Sequence, residues 1–200
     1  MFKKKIDTQE KVNELIANRW SGRAYDADRQ VTQQDIISLL EAARWAPSCY
    51  GDEPWRYIVC DKSTNEAAWD KAFSCLAEGN QSWAMNAPVL ILALANTFFS
   101  HNDKDNRWAQ YDTGAASMSL CIQATSLGLM VHQMGGFSGE KATEVFSIPE
   151  QYTSMAMMAV GYQLAEDKIT GELMQRESSD RQRNPLAEQF FDGEWGKLIH

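Results

Sequence analysis

The chain reads as a single α+β domain. Three observations point there. Its length, 200 residues, suits one full hydrophobic core. Helical and strand-like segments mix along it without regular βαβ alternation. One continuous apolar run, Pro88 to Ala95, has the length of a buried strand and is far too short to span a bilayer.

The elements follow in order. Lys11 to Asn18 carries Val12, Leu15 and Ile16 as a short helical stripe, and Arg19 to Val31 is loop-like. Thr32, with Asp35 three residues on, predicts a helix N-cap, and Ile36, Ile37, Leu39, Leu40 and Ala43 form the apolar face behind it. Pro47 enforces the stop. Trp55 to Cys60 is a strand, Asn65 to Leu76 a helix and Pro88 to Ala95 the buried strand. Arg107 to Leu127 is a long helix rich in small residues, among them Gly114, Ala115, Ala116, Ser117 and Ser119, and Gly128 caps it. Such a helix permits close packing, against a partner chain or a cofactor ring. Met130 to Gln133 is a strand leading to Gly135-Gly136, Lys141 to Phe146 a short helix ending before Pro149, and Ser154 to Tyr162 a methionine-rich strand. From Leu164 onward the chain is polar with late aromatics, Phe190, Phe191 and Trp195. Docking on a partner subunit and folding back on the same chain are both open for this tail.

Composition narrows the function classes. The chain is 44% hydrophobic and 23% charged, with 19 basic and 27 acidic residues and a net charge of −8. A strongly basic face is not expected, so nucleic acid is excluded as a partner. The basic N-terminus, Met1 to Asp7, is followed by no apolar signal-peptide core, so the expected location is cytoplasmic, with no membrane association. Cys49, Cys60, Cys75 and Cys121 show no metal-ligand spacing, and His101, His132 and His200 are scattered, so reduced thiols and no metal are expected.

No G-x-S-x-G elbow, P-loop, H-E-x-x-H or Rossmann glycine fingerprint occurs. An enzyme without a side-chain nucleophile borrows its chemistry from a cofactor. Arg19-Trp20-Ser21-Gly22-Arg23 crowds two guanidinium groups and a hydroxyl into five residues, which suits an anion, most economically a phosphate. A second pair, Arg181 and Arg183, lies near the other end. Ordinary surface charge explains either pair alone; two in an acidic chain favour a ligand. Ala46 to Arg56 is a Pro-bounded run of small and polar residues ending at Trp55-Arg56, a loop suited to a flat ligand. Gly135-Gly136 allows a close backbone approach as well as a plain turn.

In this order the motifs resemble the FMN-dependent nitroreductase family. The resemblance runs through the R-x-S-x-R start, the A-P-S-x-x-x-x-x-P-W-R loop, Gly79 to Trp83 before the Ala87 to Leu90 strand, and Tyr111 to Ala116. It continues through Leu127-Gly128-Leu129, Met134 to Phe137 and the closing R-x-R-x-P-L. It implies a nitroreductase-like fold: a mostly antiparallel central sheet flanked by helices, in a domain-swapped homodimer with FMN at the interface. The arm at about 164–200 would pack on the partner subunit. Arg19, Trp20, Ser21 and Arg23 match the first flavin-binding stretch, with Arg19 toward the phosphate and Arg23 toward the ribityl and pyrimidine edge. Arg181 and Arg183 match the pair that completes phosphate binding. Pro47, Ser48 and Cys49 match the loop donated by the second subunit, and Asn80 an asparagine that touches the flavin. Met134, Gly135 and Gly136 match the segment beside flavin N5, where the Gly135 N–H would assist. No side chain is implied as catalytic. The implied reaction is ping-pong hydride transfer from NADH or NADPH to a small electron-poor acceptor, such as a nitroaromatic or quinone. Dehalogenating and flavin-consuming enzymes share the fold, and a non-catalytic flavin-binding or redox-sensing protein is a further alternative. Two positions depart from the family loop: Gly51 stands where an Asn is common and Glu53 where a Gln is common.

Overall fold

A computed structural model describes residues 4, 6–8 and 10–198. Its centre is a four-stranded sheet of β1 (Trp55–Asp61), β2 (Val89–Asn96), β3 (Met130–Met134) and β4 (Tyr152–Gly161), in the order β1-β2-β4-β3. Every pairing is antiparallel, with one irregularity between Ala93 and Leu94 of β2.

β2 shows why the apolar run is unbroken. Successive strand residues face opposite sides of a sheet. Leu90, Leu92 and Leu94 enter one core cluster, and Val89, Ile91 and Ala93 the other. Both faces are covered, so neither set is polar. On the first face lie α3 (Glu66–Ser74), α4 (Glu78–Ala84) and α6 (Gly139–Phe146), contributing Trp69, Trp83 and Ala142. On the second lie α2 (Gln33–Arg44) and α5 (Ala109–Ser126), contributing Leu39, Ala116 and Leu120. The architecture is a three-layer α+β sandwich.

Local chemistry sets the element ends. The Thr32 hydroxyl accepts from Asp35 N–H at 3.0 Å and donates to the Asp35 carboxylate at 2.8 Å, closing the cap of α2. Asn65 and Ser138 cap α3 and α6 in the same way. Gly128 ends α5 with φ +72°, the left-handed region where a Cβ is unfavourable. The first helix, α1 (Glu14–Asn18), is shorter than its apolar stripe because Asn13 caps it. β4 begins at Tyr152 rather than Ser154.

Two helices were not legible as periodic patterns. α4 starts at Ala77 without a side-chain cap and carries Gly79 and Asn80, both poor helix formers. α7 (Gly171–Ser178) lies in the polar tail, and only Ile169 and Glu177 of that region are buried. The tail from 164 to 181 lies on its own chain: Leu164 N–H donates to Ala24 O, and Arg181 donates to backbone carbonyls of residues 4, 17 and 19. Beyond it, Phe190 and Trp195 are exposed. Among the described residues no helix is long and apolar enough to cross a membrane.

Candidate functional site

The strap from Arg19 to Arg23 runs beside β3. Gly22 makes that course possible: a Cβ there would lie 2.1 Å from Met130 Sδ and 2.9 Å from the Trp20 ring. Its carbonyl meets His132 Nδ1 at 3.0 Å. A carbonyl only accepts, so Nδ1 carries the proton. Burial, together with the charges of Arg23 and Arg19, pushes the His132 imidazole down to about 4. It is neutral at pH 7, and the positive charge of the strap belongs to the two arginines.

Arg19 reaches Ser21 Oγ at 3.4 Å. The Arg23 guanidinium lies 5.9 Å from the Trp83 ring centre, and Trp83 packs on His132 with 4.6 Å between ring centres. Trp83 therefore links the strap to β3. Trp20 turns the other way, into the core, at 6% exposure. Its side chain fills space behind the strap.

The turn after β3 is joined to the same cluster through α4. Gly136 O accepts from Ala77 N–H and from Asn80 Nδ2, both at 2.9 Å. A Cβ on Gly136 would stand 2.7 Å from that Asn80 nitrogen, whereas one on Gly135 would meet nothing within 4 Å. Met134 is buried and Gly135 exposed. Thus Arg19, Ser21, Arg23, Asn80, Met134, Gly135 and Gly136 fall in one contiguous region.

Arg181 and Arg183 differ from each other. Arg181 Nη1 donates to Arg19 O at 2.8 Å and Nη2 to the carbonyls of Lys4 and Ala17. Arg183 is exposed, and its Nη1 donates to the neighbouring Gln182 carbonyl at 2.7 Å.

Pro47, Ser48 and Cys49 lie elsewhere. Cys49 N–H donates to Asp112 Oδ2 at 2.9 Å, in the first turn of α5. Ser48 Oγ accepts from Glu53 N–H at 3.0 Å, and Tyr50, Gly51 and Glu53 all have positive φ. Glu53, which replaces the common Gln, bonds here through its backbone. The charge of Arg19 acts instead on Cys121. From 112 to 121 α5 advances about 13 Å at 1.5 Å per residue. The two early motifs are thus tied to different elements, the loop to α5 and the strap to β3 and α7.

Sequence reasoning passed over His132, Trp83, Asp112 and Glu177. Glu177 is fully buried and accepts from Arg23 N–H at 2.8 Å. A buried acid in a polar tail and a histidine inside a strand carry no local signal. Asp112, placed in the first turn of a helix of small residues, carries a faint one.

Residues 16–162 match the model of the Nitroreductase family. The chain belongs to the nitroreductase family. A solved oxidoreductase containing FMN is 31% identical, covers 96% of each chain and superposes with a TM-score of 0.87. A nitroreductase family protein of Clostridium difficile 630 is 25% identical over 90% of this chain and 97% of its own, with a TM-score of 0.69. A Methanothermobacter thermautotrophicus protein provisionally named NADH dehydrogenase/NAD(P)H nitroreductase is 32% identical over 157 residues, 76% of each chain. The α+β sandwich is accordingly the nitroreductase fold.

Proposed function

We propose that this nitroreductase-family chain is an FMN-dependent oxidoreductase that moves hydride from NADH or NADPH to a small electron-poor acceptor in a ping-pong cycle. The observation that carries this reading is the cluster along β3. It sets an anion grip, Arg19, Ser21 and Arg23, beside an open glycine turn held by Asn80.

The residues present fit FMN. Two guanidinium groups and a hydroxyl match a phosphate and a polar tail. The absence of a Cβ at Gly135, with nothing within 4 Å of where it would stand, leaves room for a flat ring against the backbone. Arg19 and Ser21 would hold the phosphate side, and the exposed Arg183 would join them from the tail. Arg23 would set positive charge at the pyrimidine edge, where negative charge develops on reduction. The Gly135 N–H is assigned to the flavin N5. When bound, FMN would supply the hydride-transfer chemistry between nicotinamide and acceptor that no side chain here provides. The chain's own residues orient the ring and stabilise charge. Neutral His132 supports Gly22 from below without adding charge.

The working unit in this reading is a homodimer. The Pro47–Cys49 loop is anchored on Asp112 of α5 rather than on the strap, which supports its closing over the flavin of a second copy. The exposed Trp45, Tyr50 and Tyr111, at 77%, 84% and 75% exposure, supply apolar surface for that contact. The physiological acceptor belongs to the nitroaromatic or quinone class in this reading.

An anaerobic titration tests it. Purified protein should be yellow, should bleach with one equivalent of NADH or NADPH per flavin, and should regain its colour with a nitroaromatic or a quinone. Protein that takes up no flavin contradicts the reading. Bleaching without reoxidation faster than oxygen alone achieves would point to a non-catalytic flavin protein.

A further inference from the structure

We propose that α7 and the residues just after it form a clasp that sets the anion grip, with Glu177 and Arg181 as its positioning residues. The strap is bonded at both ends to this one short segment. At its end, Arg23 N–H donates to Glu177 Oε1 at 2.8 Å. At its start, Arg181 spends Nη1 on Arg19 O at 2.8 Å and Nη2 on the carbonyls of Ala17 and Lys4. Lys4 Nζ closes the ring by donating to Ser179 O at 2.6 Å. Between these anchors the side chains of Arg19, Ser21 and Arg23 are left for a ligand.

The chemistry supports positioning over direct binding. An arginine that binds phosphate aims its guanidinium fork at the anion. Arg181 aims its fork at backbone carbonyls. Glu177 is wholly buried, and its Oε2 has no partner among the described residues. A carboxylate beside an anion site opposes the anion by its charge. Its return is the fixed backbone at Arg23, whose N–H would otherwise be buried without an acceptor. Burial also pushes the Glu177 carboxyl up. The clasp extends the FMN reading above and rests on it.

The test separates the two proposals. FMN and riboflavin are each titrated into the full chain stripped of flavin, and amide hydrogen exchange is followed at residues 17–25. Positioning residues should weaken both flavins alike, because the strap serves the ring edge as well as the phosphate. Glu177→Ala and Arg181→Gln should each raise both dissociation constants about tenfold or more and speed exchange at Arg23. Glu177→Gln, which keeps an acceptor oxygen, should restore slow exchange and near wild-type affinity. Arg183→Ala should weaken FMN alone. Should Glu177→Ala fail to fold, Arg181→Gln and Glu177→Gln carry the test. The clasp is overturned if Arg181→Gln weakens FMN but spares riboflavin, or if Arg23 exchange is unchanged in the variants that fold. It is also overturned if Glu177→Gln is as weak a binder as Arg181→Gln. Failure of the wild-type chain to bind either flavin overturns the FMN reading instead, while the exchange experiment still reports on the clasp.

Discussion

The strap Arg19–Arg23 and the loop Pro47–Gly51 are both held by a buried carboxylate that accepts one backbone N–H. Glu177 serves Arg23 and Asp112 serves Cys49. They differ in what surrounds the anchor. The strap is also tied by Arg181 at Arg19 and by His132 at Gly22, and its own Trp20 is buried in the core, so its backbone is bonded on several sides. The loop rests on Asp112 and on its own Ser48–Glu53 bond, and its exposed Tyr50 meets Phe99 and His101 edge-on. The region assigned to the anion is bonded along its backbone within one chain. The region assigned to cover the ring is held by Asp112 and by the neighbouring 97–106 segment, and it leaves Tyr50 largely exposed, as suits a part completed by a second copy.

The comparison can be broken from either side. The largest effect is expected at the strap. Arg19→Ala combined with Arg23→Ala should lower FMN affinity a hundredfold or more, since a hydrogen bond to a charged group contributes about 1.5–3 kcal/mol. Equilibrium dialysis measures it, and a yellow double variant would refute the grip. Next is the loop. Asp112→Ala leaves Cys49 N–H without its acceptor and should cost about 1–3 kcal/mol in urea unfolding. It should also release flavin in step with dissociation of the dimer. If the loop were as independent of a partner as the strap, flavin release and dimer dissociation would come apart.

The glycine turn sharpens the contrast further. Gly136→Ala drives a Cβ to 2.7 Å from Asn80 Nδ2 and should destabilise the fold by about 1–3 kcal/mol. Gly135→Ala meets no protein atom, so the melting temperature should hold while FMN affinity falls. Equal melting shifts for both would remove Gly135 from the ligand face.

The effect that is smallest at neutral pH comes from His132. His132 titrates at about 4 in the folded chain against an ordinary 6.5. As pH falls below about 6.5 the unfolded chain takes up this proton first, so stability declines until about pH 4 and then levels. His132→Asn should flatten that window by removing a contribution that is nil at pH 7 and grows to about 3 kcal/mol by pH 4, in denaturant midpoints taken across the range. An unchanged slope would place the imidazole outside the buried cluster.

Much of this was readable from the chain because the signals are local. Thr32 and Asp35 announce α2, and the unbroken Pro88–Ala95 run announces a strand covered on both faces. The arginine pair and the Gly135-Gly136 turn announce an anion and a close approach. What escaped depends on partners far away in sequence. α4 has no side-chain cap and is held by Asn80 on Gly136 and Trp83 on His132. Glu177 acquires its role only when the tail folds back onto Arg23. Arg181 and Arg183 look alike as a motif, and only tertiary contacts tell the half-buried fork from the exposed one.

Sedimentation velocity, followed through the visible absorbance of the flavin across a dilution series, tests the composite site most directly. The account predicts that flavin travels only with a species of twice the chain mass and is released as that species dissociates. A monomer that sediments with a full complement of tightly bound FMN would contradict it.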